Sequence, residues 1–213
     1  SFTMPAEHLV RCIMRNALNE LPHKECMALD FGCGDGRHSL YLNSLGYDVL
    51  AVDVNDSAIK LVNKRISFNK NLSNIEAVKI SKSSCIANFD KHFCLIVAWE
   101  VLHWLGSISE WREALDALHK TLKHDGTLIL TMPKENHFLI GTAQKLKKHE
   151  YIANEESRKN CKFVAPDLNT IKAVFSKVGF ECLEQGFYQH GDKIDDWTLS
   201  NPFSMYVFLL KKM

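Results

Sequence analysis

The 213-residue sequence lacks several features that would otherwise set its class. It has no apolar run long enough to cross a bilayer and no secretory leader pattern at its start. It has almost no net charge, because 26 Lys and Arg stand against 25 Asp and Glu, leaving +1. That balance excludes the general basic field of a nucleic-acid-binding domain and leaves room only for a local patch. Its seven cysteines are an odd number without a CxxC pair, and its ten histidines show no HxH or HExxH spacing. Reduced thiols in a cytoplasmic protein and no catalytic metal are the expectations. Internal repeats and low-complexity segments are also missing.

What is present is an alternation of short apolar runs with helical stripes, at a length that suits one domain, 1–213. Met4 reads as the natural start, and an N-terminal helix is expected over 4–22, with Leu9, Ile13 and Leu18 on one face. "ECMALDF", "DVLAVDV", "IEAVKIS", "HFCLIVAWE" and "TLILTMP" read as buried strands, separated by helices over "RHSLYLNSLG", "SAIKLVNKRISFN" and "SISEWREALDALHKTL". Residues 133–165 are mostly polar, with no strand pattern and a lysine run at 145, 147 and 148. That run reads as a solvated helix face or as a site for an anionic acceptor. A helix over "APDLNTIKAVFSKVG" and two late strands, "FECLEQGFYQ" and "FSMYVFLLKK", close the chain. The fold class is therefore α/β: a mostly parallel sheet with helices on both faces and an antiparallel C-terminal strand. Segment 133–165 would be an insertion or cap over the carboxyl ends of the strands, where ligands bind in open α/β sheets.

The segment "ALDFGCGDGRHSLYLNSLGYDVLAVDVN" carries the most chemistry. Gly32, Gly34 and Gly36 lie between a strand and a helix, where the lack of Cβ allows a tight turn and close approach to a ligand. Asp53 ends the next strand, where a carboxylate accepts both hydroxyls of a ribose. A dinucleotide site favours GxGxxG, but its third glycine position is here Arg37. The spacing is GxGxG, preceded by Asp30, an acid that would repel a pyrophosphate and suits a ligand carrying an amine.

These residues resemble the class I S-adenosylmethionine-dependent methyltransferases. "LDFGCGDGRHSLYL" is similar to their first motif, "AVDVN" to their ribose acid and "AWEVLHWL" to their fourth-strand region. The form GCGxGRxSLYLxxxGYDVxAxD is that of small bacterial members, including the tellurite-resistance type. The resemblance implies a Rossmann-like seven-stranded sheet of order 3-2-1-4-5-7-6 and S-adenosyl-L-methionine as cofactor, with S-adenosyl-L-homocysteine as product. It implies that Gly32, Cys33, Gly34 and Gly36 line the methionine and ribose. Asp30 would meet the amino group directly or through water, Asp53 the ribose and Val54 the adenine. Arg37 would reach the methionine carboxylate or solvent. Two positions depart from the pattern. "ISKSS" lacks the usual adenine-binding Asp, leaving Ser81, Lys82 or Ser83, and Cys94 replaces the usual Asp before the fourth strand.

Methyl transfer from a sulfonium needs positioning and exclusion of water, and a base only where the nucleophile must lose a proton. Trp99 and Glu100 would approach the methionine end. Glu100, His103 and His137 are the catalytic candidates, the histidines as bases or acceptor-binding groups, with His103 alternatively a histidine held at a helix edge. The loop "HGDKIDDWTLSNP" (190–202) would help select the acceptor. The expected acceptor is a small molecule methylated on oxygen or nitrogen, with no nucleic acid or membrane partner, by a monomer or homodimer. Competing readings are a tRNA or protein methyltransferase, a nicotinamide-dependent oxidoreductase and a non-catalytic binding module.

Overall fold

A computed structural model describes residues 4–20, 26–68, 72, 74–89, 92–190 and 203–213. Its first part consists of α1 (Glu7–Arg15), β1 (Met27–Phe31), α2 (Arg37–Ser44), β2 (Asp48–Asp53), α3 (Asp56–Phe68), β3 (Ile75–Lys79), β4 (Phe93–Ala98), α4 (Ile108–Thr121) and β5 (Leu122–Pro133). There follow α5 (Phe138–Thr142), the short strands β6 (Gln144–Lys147), β7 (Glu150–Ile152) and β8 (Lys162–Val164), then α6 (Leu168–Val178), β9 (Phe180–His190) and β10 (Phe203–Lys212).

Seven strands form one sheet in the order β3-β2-β1-β4-β5-β10-β9. Neighbours among β1 to β5 pair in parallel, and β10 runs antiparallel to both β5 and β9. This is the expected order, with β10 as the antiparallel strand. Successive strand residues face opposite sides. Ala28, Val49, Leu95 and Ile129 join the core under α1 and α2, with Leu9, Ile13 and Leu42. Leu29, Leu50, Ile96 and Leu130 join the other core, under α4 and α6, with Trp111, Leu115, Ile171 and Phe175. Both faces are thus covered, which is why the strands read as continuous apolar runs. No helix among the described residues is long and apolar enough to cross a membrane.

Local signals set the helix ends. Ser107 Oγ accepts from the Glu110 N–H at 3.2 Å to start α4, and Asp167 Oδ1 accepts from the Thr170 N–H at 2.7 Å to start α6. Gly179 ends α6 in the left-handed conformation, at φ 102°.

Three expectations are corrected. The N-terminal helix is shorter than 4–22: Asn16 Nδ2 donates to the Cys12 carbonyl at 2.9 Å, Ala17 turns to φ 53°, and only a 3₁₀ turn, Leu18–Glu20, follows. Residues 21 and 22 lie outside the described residues. The thiols are not all free. Cys26 and Cys94 form a disulfide, their Cα atoms 5.6 Å apart because β1 and β4 are neighbours. Segment 133–165 is not strandless. β6, β7 and β8 form a separate antiparallel sheet, and Lys145 and Lys147 sit on exposed strand β6 rather than on a helix face. This small sheet packs against the turn after β4: Phe163 meets the Trp104 ring at 5.9 Å, and Glu150 Oε1 accepts from the Ile108 N–H at 3.0 Å.

Candidate active site

The turn from β1 into α2 is built on glycine. Gly32, Gly34 and Gly36 have φ of 75°, 51° and 78°, the left-handed region where other residues are strained. Gly32 is also held for space, since a Cβ there would collide with the Val101 side chain. Gly34 is different, because a Cβ there would meet nothing within 4 Å. Its open side leaves the backbone available to a ligand. The turn is tied to β2 by N–H bonds from Gly32 and Cys33 to the Val52 carbonyl at 2.8 and 2.9 Å.

Asp53 closes the same turn. Its Oδ2 accepts from the Gly34 N–H at 3.0 Å and its Oδ1 from the Asn55 N–H at 2.8 Å. Each oxygen keeps a second lone pair. Val54 beside it is 52% exposed, an uncovered apolar surface at the end of β2. Ser81 is exposed, and its hydroxyl lies 3.1 Å from Cys85 Sγ. Cys33 is buried, and burial pushes its thiol pKa up.

Asp30 lies inside, 1% exposed, with Ser39 Oγ donating to its Oδ2 at 2.5 Å. Burial raises its pKa to about 6, with the Ser39 bond opposing. Next to it, His38 Nε2 accepts from the Ala6 N–H at 3.4 Å, and burial lowers its pKa to about 4.

Beyond β4 the chain makes a second constrained turn. Glu100 has φ 55° without being glycine. Its N–H donates to Thr131 Oγ1 at 2.8 Å, and its Oε1 accepts from the Tyr188 hydroxyl at 2.6 Å. Such strain costs on the order of 1 kcal/mol or more and persists where the surroundings fix it. Tyr188, on β9, stacks between two rings: Trp99 at 5.6 Å and His8, on α1, at 4.7 Å. Trp99, Glu100, Tyr188, Arg37, His8 and Phe203 are among the residues lining a cavity of about 370 Å³.

A second cavity of about 290 Å³ adjoins it, and Glu100 and Phe203 line both. Its other walls come from His103 and Trp104 after β4, and from Phe138, Leu139, Glu155 and Arg158 of the inserted segment. His103 is 3% exposed, its Nδ1 has no partner, and burial first, then His137, lowers its pKa to about 3. His137 is 1% exposed and packs against Phe138 and Phe203, each at 4.8 Å. Its Nδ1 accepts from the Leu139 N–H at 3.2 Å, its Nε2 has no partner, and burial lowers its pKa to about 4.

The structure therefore gathers Trp99, Glu100 and Arg37 at one cavity and Glu100 and His103 at the next, with His137 behind Phe203. Sequence reasoning missed Tyr188, His8, Phe203 and Arg158. Tyr188 and Phe203 sit in strand patterns that read only as core, and Arg158 gave no periodic signal. Of the loop 190–202, expected to help select the acceptor, His190 ends β9 and residues 191–202 lie outside the described residues.

The sheet order, the glycine turn and the acid at the end of β2 define an α/β protein of the Rossmann-like, nucleoside-binding class. Within that class, residues 7–185 match the family model described as a methyltransferase domain, and the chain belongs to that family. A relative from Haemophilus influenzae, called a probable S-adenosyl-L-methionine-dependent methyltransferase TehB, is 34% identical over 98 residues. Those residues are 46% of this chain and 31% of the relative, so the matched stretch spans about a third of that protein. The crystal structure of TehB from Haemophilus influenzae superposes with a TM-score of 0.65 at 20% identity, over 95% of this chain and 62% of that one. A SAM-dependent methyltransferase from Methanosarcina mazei superposes with a TM-score of 0.71 at 18% identity, over 99% of both chains. The similarity to the tellurite-resistance type is thus borne out in sequence and in fold.

Proposed function

We propose that this protein transfers a methyl group from S-adenosylmethionine to a small molecule. The carrying observation is the turn Gly32–Gly36, open over Gly34, with the Asp53 carboxylate on the Gly34 N–H and the exposed Val54 beside it. These groups fit the donor: Asp53 for the ribose hydroxyls, Val54 against the adenine, Asp30 for the amino group and Arg37 for the carboxylate. Gly32, Cys33, Gly34 and Gly36 supply close backbone, and Ser81 lies at the adenine edge. When bound, S-adenosylmethionine supplies a methyl group on a sulfonium, a leaving group already activated.

The protein's share is to bind, orient and exclude water. Trp99 and Tyr188 wall the first cavity, and Glu100 stands at its boundary with the second. The inserted segment caps the second cavity and makes it the acceptor chamber. His103 lines that chamber as a neutral imidazole and is the group suited to hold the acceptor by a hydrogen bond. The small chambers favour a metabolite over RNA or protein.

The test is calorimetry with S-adenosylhomocysteine together with transfer of a labelled methyl group. Asp53→Ala should weaken binding at least tenfold. Wild-type affinity in that variant would remove the site assignment, and binding of NAD in place of S-adenosylhomocysteine would support an oxidoreductase instead.

A further inference from the structure

The second cavity is lined by charged groups that form no ion pair among the described residues. Arg158 ends a 3₁₀ turn, Glu156–Arg158, and Glu155 immediately precedes it; both line the cavity. Among the described residues they do not pair with each other, and neither side chain has another ionic partner within 4.0 Å. The Arg158 guanidinium carbon sits over Trp104, 4.1 Å from the ring centre, a cation–π contact that uses none of its N–H donors. Glu100 stands at the other end, at the boundary with the first cavity, with its Oε1 fixed by Tyr188. The aromatic rings of Trp104, Phe138 and Phe203 complete the walls. His103, 3% exposed, contributes a ring nitrogen without a partner. The cavity thus sets an exposed guanidinium and two half-buried carboxylates around apolar rings, with one buried ring nitrogen left unsatisfied.

We infer that the second cavity is a binding site for a small amino-carboxylic acid, with its carboxylate on Arg158, its ammonium toward Glu100 and Glu155, and its side chain among Trp104, Phe138 and Phe203. A cavity of about 290 Å³ holds a molecule of free-amino-acid size. Arg158 lines only this cavity, whereas Glu100 lines both, so the amine end is the one presented to the donor. Arg prefers a planar carboxylate, which it meets with two parallel hydrogen bonds. This inference rests on the methyltransferase reading and names its acceptor class. The amine nitrogen, after losing one proton to solvent by way of Glu100, gives its lone pair to the methyl carbon. The carbon–sulfur pair stays on sulfur, and an N-methyl amino acid and S-adenosylhomocysteine result.

Binding tests this without relying on turnover. The full chain is saturated with S-adenosylhomocysteine and titrated with each of the twenty standard amino acids. Each amino acid that binds is then compared with its decarboxylated amine and its deaminated acid. The expected result is at least one amino acid bound at least tenfold more tightly than either matched analogue. Arg158→Ala should reduce the preference over the amine to less than threefold, and Arg158→Lys should restore part of it. Affinity for S-adenosylhomocysteine serves as the fold control for each variant. No binding of any amino acid, an amine or acid bound as tightly as the amino acid, or an unchanged preference in Arg158→Ala would overturn the inference while leaving methyl transfer intact. Failure of the wild-type chain to bind S-adenosylhomocysteine would instead overturn the reading beneath it.

Discussion

The Tyr188 hydroxyl donates to Oε1 of Glu100 at 2.6 Å, joining the last part of the sheet to the turn after β4. The two residues are 88 apart in sequence. They meet because Glu100 is held in a left-handed backbone conformation by Thr131 while Tyr188 is clamped between Trp99 and His8. A carboxylate common to two cavities is thereby kept in one orientation.

Tyr188→Phe keeps the ring stack and removes this bond. A hydrogen bond to a charged group contributes roughly 1.5–3 kcal/mol. The expected outcome is a tenfold or greater fall in kcat with affinity for S-adenosylhomocysteine changed less than threefold. Steady-state kinetics beside calorimetry separates the two. Equal losses in both would mean that Tyr188 only supports the donor pocket.

Gly32 and Gly34 should respond differently to a side chain. Gly34→Val introduces strain at φ 51° while its Cβ meets nothing within 4 Å, so the protein should fold with a loss of about 1–2 kcal/mol and fail to bind S-adenosylhomocysteine. Gly32→Ala drives a Cβ into Val101 and should cost more stability, about 2–3 kcal/mol. Adding Val101→Ala should recover part of that loss. Denaturant melts of the three variants check the order, and no recovery in the double variant would remove Val101 as the cause.

Asp30 gives stability a pH dependence of known sign. Its folded pKa, about 6, lies above the ordinary 3.8, so its favourable contribution is fully present below about pH 4 and is lost as pH rises through 6. Asp30→Asn should therefore stabilise the ligand-free protein at pH 8 relative to pH 4.5, by on the order of 2–3 kcal/mol. It should also weaken S-adenosylhomocysteine binding, because the amine loses its carboxylate. Urea melts at the two pH values test the first effect, and a difference that does not change with pH would refute it.

The buried histidines act in the opposite direction. His38, His103 and His137 have folded pKa values of about 4, 3 and 4, below the ordinary 6.5. Their contribution is present above about pH 6.5 and is lost as pH falls toward 4. At pH 5 each should cost on the order of 2 kcal/mol of stability relative to pH 7.5. Replacing His103 by Gln should shrink that difference by about one histidine's share. NMR titration should show no inflection for these rings between pH 6 and 8, and one within that window would contradict the buried, neutral assignment.

The alternating strands and helices, the glycine turn and Asp53 were all legible because each depends on residues close in sequence. Periodicity, capping and φ preference are local physics. The inserted segment was less legible. Its strands are three or four residues long and exposed on β6, so Lys145 and Lys147 suggested a helix face where a sheet forms. The Cys26–Cys94 bond was illegible for another reason, since it needs β1 and β4 to be neighbours, a fact of strand order.

By itself, then, the sequence determined the sheet's composition and the glycine turn, where a few neighbouring residues dictate backbone shape. Only the tertiary structure decided what lines the two cavities. Tyr188 against Glu100, His8 against Tyr188 and Arg158 over Trp104 are contacts between distant segments. Such contacts follow from packing two cores and one small sheet around a common edge, and no local preference encodes them.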